Sequence, residues 1–183
     1  MLLIGLDAAS DFSRFGYAIG HYEHGRVRIK QAGLVDVPGK ENALVSIVAP
    51  ALRAAPGALI AIDAPLGWPA SLAAELSTHR AGEAFASEKD AMFRRATDRY
   101  VKALTGKNPL EVGADKIARA AHNALAALKW LRAESGRAIP LAWNKDFSGV
   151  AAIEAWIQPG LSGLADSQTP STRNQNSKAY AST

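Results

Sequence analysis

Two short apolar runs, each stopped by an aspartate, organise the first third of the chain. Residues 2–6 are non-polar and meet Asp7, and residues 58–62 repeat the pattern and meet Asp63. This is the profile of a buried strand ending at a polar rim. Residues 15–20 form the next strand, after a polar turn through Ser10, Asp11 and Ser13. Residues 26–35 alternate apolar and polar positions after the turn residues His24 and Gly25. The three runs predict an antiparallel meander.

Between the meander and the second acid-ended run, residues 41–55 place Leu44, Ile47, Val48 and Leu52 at helical spacing. Pro50 falls inside this helix and should kink it or begin its second half, and Pro56-Gly57 stops it. A strand, a helix and a strand imply a crossover to a parallel neighbour. If the first and second acid-ended strands are adjacent, Asp7 and Asp63 share one carboxyl edge.

Residues 64–69 (Ala-Pro-Leu-Gly-Trp-Pro) read as a rigid turn into a helix from about Ala70, with Pro69 suited to its first position. Residues 78–90 are polar and weakly patterned, a loop or lid with some helix. Residues 94–104 are helical in composition and end at Gly106. The strongest helix covers residues 115–132, where Ile117, Ala121, Leu125, Leu128 and Leu131 form one apolar stripe that Ser135-Gly136 ends. Residues 150–156 are the last strand and carry Glu154. From Ser162 the composition turns to Ser, Thr, Asn and Gln, which predicts a disordered or loosely held tail. The expected organisation is one domain over residues 1–161 and a polar tail over 162–183.

Bulk properties narrow the function without choosing it. A length of 183 residues favours one domain with a sizeable core. The absence of cysteine excludes disulfides, thiolate metal sites and cysteine nucleophiles. No signal peptide and no membrane-length apolar stretch are present, so a soluble, cytoplasmic protein without membrane association is expected. The net charge of +4 is ordinary, but Arg94, Arg95, Arg99, Lys102 and Lys107 cluster, followed by Lys116 and Arg119. Such a cluster permits a phosphate-bearing substrate without demanding one. Phosphate-loop, dinucleotide-fold and serine hydrolase motifs are absent.

The candidate chemistry lies in the acids. Two converging carboxylates raise each other's pKa unless a cation neutralises them. Oxygen-only ligands suit Mg²⁺ or Mn²⁺, which can activate water and stabilise a leaving oxygen in phosphodiester cleavage. Asp7 and Asp63 would hold the metal; the plainer reading makes them turn formers at strand ends. Arg95 and Asp98 stand at i, i+3 spacing, consistent with a surface ion pair or with a phosphate contact by Arg95 backed by Asp98. Glu154 offers a third carboxylate, or simply an outward-facing strand residue. The four histidines share no metal-ligand spacing. Trp68, Trp130, Trp143 and Trp156 suit packing, and Trp68, close to Asp63, is the one placed to touch a substrate.

The blocks Ile4-Gly5-Leu6-Asp7, Phe15-Gly16-Tyr17-Ala18, residues 60–69 (Ile-Ala-Ile-Asp-Ala-Pro-Leu-Gly-Trp-Pro) and Arg95-Ala96-Thr97-Asp98 occur in an order that resembles a family of predicted nucleases, domain of unknown function 429. Residues 152–156 look like the family's later glutamate strand, although Pro159 falls too late for its pattern. The tail also departs from the helical sequence usual there. The resemblance implies an RNase H-like α/β fold, with a mixed five-stranded sheet (the meander plus parallel strands) flanked by helices. It also implies a metal-dependent nuclease site on Asp7 and Asp63, with Asp98 and Glu154 as catalytic partners. From the residues themselves, Arg95, Arg99 and Trp68 are the expected contacts to nucleic acid. A non-catalytic nucleic-acid-binding or regulatory module of the same fold is the alternative. An actin-like or sugar-kinase-like phosphotransferase, which needs a second domain, ranks last.

Overall fold

The computed structural model describes residues 1–35, 43–113 and 115–156. The apolar runs become the two central strands: β1 (Leu2–Asp7) and β4 (Ala58–Asp63), paired in parallel. On β1, Leu2, Ile4 and Leu6 are buried, as are Ala58, Ile60 and Ile62 on β4. The intervening positions, Leu3 and Gly5 on β1 and Leu59 and Ala61 on β4, are only half-covered. The runs are uniformly apolar in sequence, yet one face of these strands is buried far more deeply than the other.

β2 (Gly16–Glu23) pairs antiparallel with β1, and β3 (Arg26–Leu34) pairs antiparallel with β2. β5 (Val150–Glu154) adds in parallel to the far side of β4. The order is β3-β2-β1-β4-β5, a five-stranded mixed sheet. β2 runs three residues beyond the expected end at Gly20, because the turn at His24 and Gly25, both with positive φ, is tight enough to keep pairing to its edge. A register shift interrupts the β2–β3 ladder at Ile19/Gly20. A Cβ on Gly20 would lie 2.6 Å from the Arg28 carbonyl oxygen, so this close approach needs glycine.

Helix α1 (Ala43–Ala54) packs against α5 (Asp115–Ser135), and both join the core formed by the deeply buried sheet face. Glu41 and Asn42, the expected start of α1, lie outside the described residues. Pro50 sits on the exposed side of α1, and the helix runs through it as one element. The buried stripe of α5 is rotated from the expected one. Ala120, Ala121, Ala124, Ala127, Leu128, Leu131 and Ser135 are buried, whereas Ile117 and Leu125 are only half-buried. Alanine burial draws the helix close to its neighbours, an effect that counting large apolar residues misses. At its C-terminal half, Trp130 meets Phe12 at 5.0 Å between ring centroids, and Phe12 stacks on Phe15 at 4.9 Å. These rings close the end of the core beside the 3-10 turn Phe12–Arg14.

The segment joining β4 to α5 carries three helices: α2 (Ala70–Leu76), α3 (Lys89–Phe93) and α4 (Ala96–Thr105). The polar stretch over residues 78–90 is largely irregular, as expected. Glu75 organises it, accepting the Ala86 and Ser87 N–H groups at 2.9 and 2.7 Å. Among the described residues, no helix is long and apolar enough to cross a membrane. The tail from Ser162 lies outside the described residues.

Candidate functional site

Asp7 ends β1, Asp63 ends β4, and the two are register partners. Partners on adjacent parallel strands lie about 4.8 Å apart and project from the same face. The antiparallel neighbour of Asp7 is Gly16. A Cβ there would lie 3.2 Å from the Asp7 Cβ, so glycine leaves the Asp7 side chain room. Asp7 is exposed and Asp63 half-buried. Among the described residues, neither carboxylate has a hydrogen-bond or salt-bridge partner. Burial raises the Asp63 pKa above the ordinary carboxylate value, and the negative charges of Asp7 and then Glu154 push it the same way.

Glu154 reaches this edge differently. Its register partner is Ile62, one residue out of phase with Asp63, so strand alternation directs it to the opposite side of the sheet rim. There its Oε2 accepts the Leu66 N–H at 3.1 Å, tying the turn after β4 to the end of β5. The Arg95 guanidinium donates to it in a fork, Nη1 to Oε2 at 2.7 Å and Nη2 to Oε1 at 2.8 Å. Arg95 also donates Nε to Asp98 Oδ2 at 3.0 Å and Nη2 to Asp98 Oδ1. The Arg95 backbone N–H binds Asp98 Oδ2 at 2.8 Å, which fixes the first turn of α4. Burial opposes the charged guanidinium, but the bonds and charges of Asp98 and Glu154 outweigh it and hold the Arg95 pKa above its usual value. Asp98 is 4% exposed, so the i, i+3 pair is a buried one rather than a surface one.

These groups line a cavity of about 500 Å³, whose walls include Asp7, Asp63, Glu154, Arg95, Lys107 and Asn108. Asp98 does not line it and acts on Arg95. Arg99 does not line it either, and donates instead to the Arg94 carbonyl at 2.8 Å. Arg94 itself pairs with Asp90 at 3.2 Å and Glu111 at 3.8 Å. Arg94, Arg95 and Arg99 are therefore engaged within the fold. Lys107, assigned no site role from sequence, is the lysine of the basic cluster that reaches the acids' cavity. The signal for it is Gly106, whose positive φ of 71° ends α4 and turns the following Lys-Asn-Pro segment across the site. Asn108 is held there by Arg94 Nη1 at 2.9 Å.

Of the aromatic residues, Trp156 lines the acid cavity and Trp68 an adjoining hollow. Trp143 does not pack as expected: it is 80% exposed, because residues 142–149 form an irregular segment away from the core. His79 stacks on Phe85 at 4.5 Å, and His24 occupies the β2–β3 turn.

The donor set is thus two uncompensated carboxylates on one rim, a third acid neutralised by an arginine, and one nearby lysine. Among the described residues, no group of three or more acids or histidines converges as a complete metal cage. Asp7 and Asp63 could supply two oxygen ligands to a hydrated divalent cation such as Mg²⁺. No curated protein and no solved structure matches the chain. The model of one family, described as a protein of unknown function (DUF429), matches residues 5–166, a span that contains Asp7, Asp63, Arg95, Asp98 and Glu154; the chain belongs to that family.

Proposed function

We propose that the protein is a metal-dependent nuclease of RNase H-like fold, which hydrolyses phosphodiester bonds with Mg²⁺ or Mn²⁺ held by Asp7 and Asp63. The observation that carries this reading is the unpaired state of two register-matched carboxylates at the carboxyl edge of parallel strands. Their mutual repulsion is an unfavourable term that a divalent cation removes. The antiparallel meander continued by two parallel strands is the sheet that the RNase H-like resemblance implies, with the acids at the expected edge.

Asp7 and Asp63 would hold the divalent ion, which would supply an activated water and charge stabilisation at the leaving oxygen. The chain's own residues set the stage for it. Asp63, with its raised pKa, gives up its proton more readily once a cation faces it. Lys107 is placed to meet a phosphate oxygen in the same cavity. Glu154 holds the turn at Leu66 and anchors Arg95, and Asp98 locks Arg95 in place. In this reading Arg95 and Asp98 act as positioning residues, and Lys107 is the phosphate contact. The engagement of Arg94 and Arg95 by acids also weighs against a non-catalytic module that binds nucleic acid through those arginines.

The test is a cleavage assay on DNA, RNA and hybrid substrates with Mg²⁺ or Mn²⁺. Cleavage should require the metal, stop with chelator, and fall to background in Asp7→Asn and in Asp63→Asn. Cleavage that survives in the double variant would exclude this site.

A further inference from the structure

Two large indoles stand in water on one side of the acid cavity. Trp143 is 80% exposed and Trp68 38% exposed, and both line a hollow of about 240 Å³. Its floor is apolar, formed by Leu66, Leu141 and Ile153, and Thr97 lies at its edge. Its remaining wall is the Arg95–Glu154 ion pair, which also lines the acid cavity. The two hollows are thus neighbours across a single pair of side chains whose closest atoms are 2.7 Å apart.

The size and lining restrict what can enter. The hollow is smaller than the roughly 300–1,000 Å³ of a pocket for a drug-sized ligand, and suits one planar ring system. Exposed indoles around an apolar floor favour a flat aromatic face, and the planar guanidinium of Arg95 in the wall offers a further surface for a ring. A base inside a duplex is stacked on both sides and cannot present its face to such a hollow, whereas an unpaired base can.

We propose that the Trp68–Trp143 cleft binds an unpaired nucleobase of the strand whose phosphate lies against Asp7 and Asp63, which makes single-stranded nucleic acid the substrate class. This rests on the nuclease reading for its phosphate, but not for its base. The Arg95–Glu154 pair is the partition that separates the two moieties, with the phosphate on one side and the base on the other.

The base can be tested without the metal site. In metal-free buffer, adenosine should bind the full-length protein saturably in a ligand-observed NMR titration, and ribose should not. Trp143→Ala should weaken adenosine binding about fivefold or more, the effect of losing one stacking partner. Trp143→Phe should restore most of it. Because Trp143 is exposed, neither change threatens the fold. Absence of adenosine binding, equal binding of ribose, or an unchanged affinity in Trp143→Ala would each overturn the proposal. In cleavage assays, Trp143→Ala should raise KM for a single strand by a similar factor. A wild-type protein without nuclease activity would sink the nuclease reading and leave the adenosine result standing. An active nuclease indifferent to Trp143→Ala would sink the cleft alone.

Discussion

Replacing Asp63 by asparagine should make the protein more stable at neutral pH while removing its proposed activity. Asp63 and Asp7 are register partners, and neither has a hydrogen-bond or salt-bridge partner among the described residues. At the roughly 5 Å spacing of adjacent strands, two unit charges repel by about 1 kcal/mol in a water-like medium and about 3 kcal/mol at an effective dielectric of 20. Solvent on the Asp7 side puts the expected value near the lower figure. For a domain of this size, about 1 kcal/mol corresponds to a rise of about 2–4 °C in Tm.

The pH dependence follows from the raised pKa of Asp63. A carboxyl whose folded pKa exceeds its unfolded value binds more protons when folded, so stability falls as pH rises between the two values. Below the unfolded pKa the wild-type carboxyl is protonated in both states, and the asparagine has no charge penalty to remove. Above the raised pKa the full penalty applies, and the advantage of Asp63→Asn is complete. Thermal melts of both proteins from pH 4 to pH 8 in chelator measure this directly. Added Mn²⁺ at ten times its Kd should stabilise the wild type by about 1.4 kcal/mol and the variant by much less. A variant less stable than wild type at pH 7, or a gain identical at pH 4 and pH 7, would refute the reasoning.

Two further changes probe the frame around the site. Arg95→Met should cost about 3–5 kcal/mol in urea denaturation, because it strands the buried Asp98 and the half-buried Glu154 without their cation. Arg95→Lys should recover only part of the loss, since an ammonium cannot make both forked contacts; a cost below about 1 kcal/mol for Arg95→Met would mean that the acids find other partners. Gly20→Ala should destabilise by about 1–3 kcal/mol by forcing a Cβ to within 2.6 Å of the Arg28 carbonyl. Gly67→Ala, with nothing within 4 Å of its added Cβ, is the control and should be close to neutral by the same melts.

Much of this architecture is legible along the chain because it depends on local patterns. The apolar runs before Asp7 and Asp63, the alternation over residues 26–35 and the stop at Gly106 are properties of consecutive residues, and each becomes the element expected. The crossover rule turns strand–helix–strand into parallel pairing, so the convergence of Asp7 and Asp63 needs only that the two strands be neighbours. The rotated stripe of α5 is the exception within an element, because small residues bury without announcing themselves as large apolar ones do.

What the sequence cannot express is which distant groups neutralise one another. Arg95 lies 59 positions before Glu154, and only the tertiary structure brings its guanidinium to the end of β5 and adds that acid to the local pair with Asp98. The fold also brings Lys107 into the wall of the cavity that holds Asp7 and Asp63, beside an Arg95 already bonded to two acids. Trp143 is likewise one indole among four until the fold leaves it in solvent beside Trp68. The strands, their connection and the two acids at their ends can be read along the chain, because backbone periodicity and chain connectivity are local. Which charges remain unpaired emerges only on folding, because pairing is set by contacts between segments far apart in the chain.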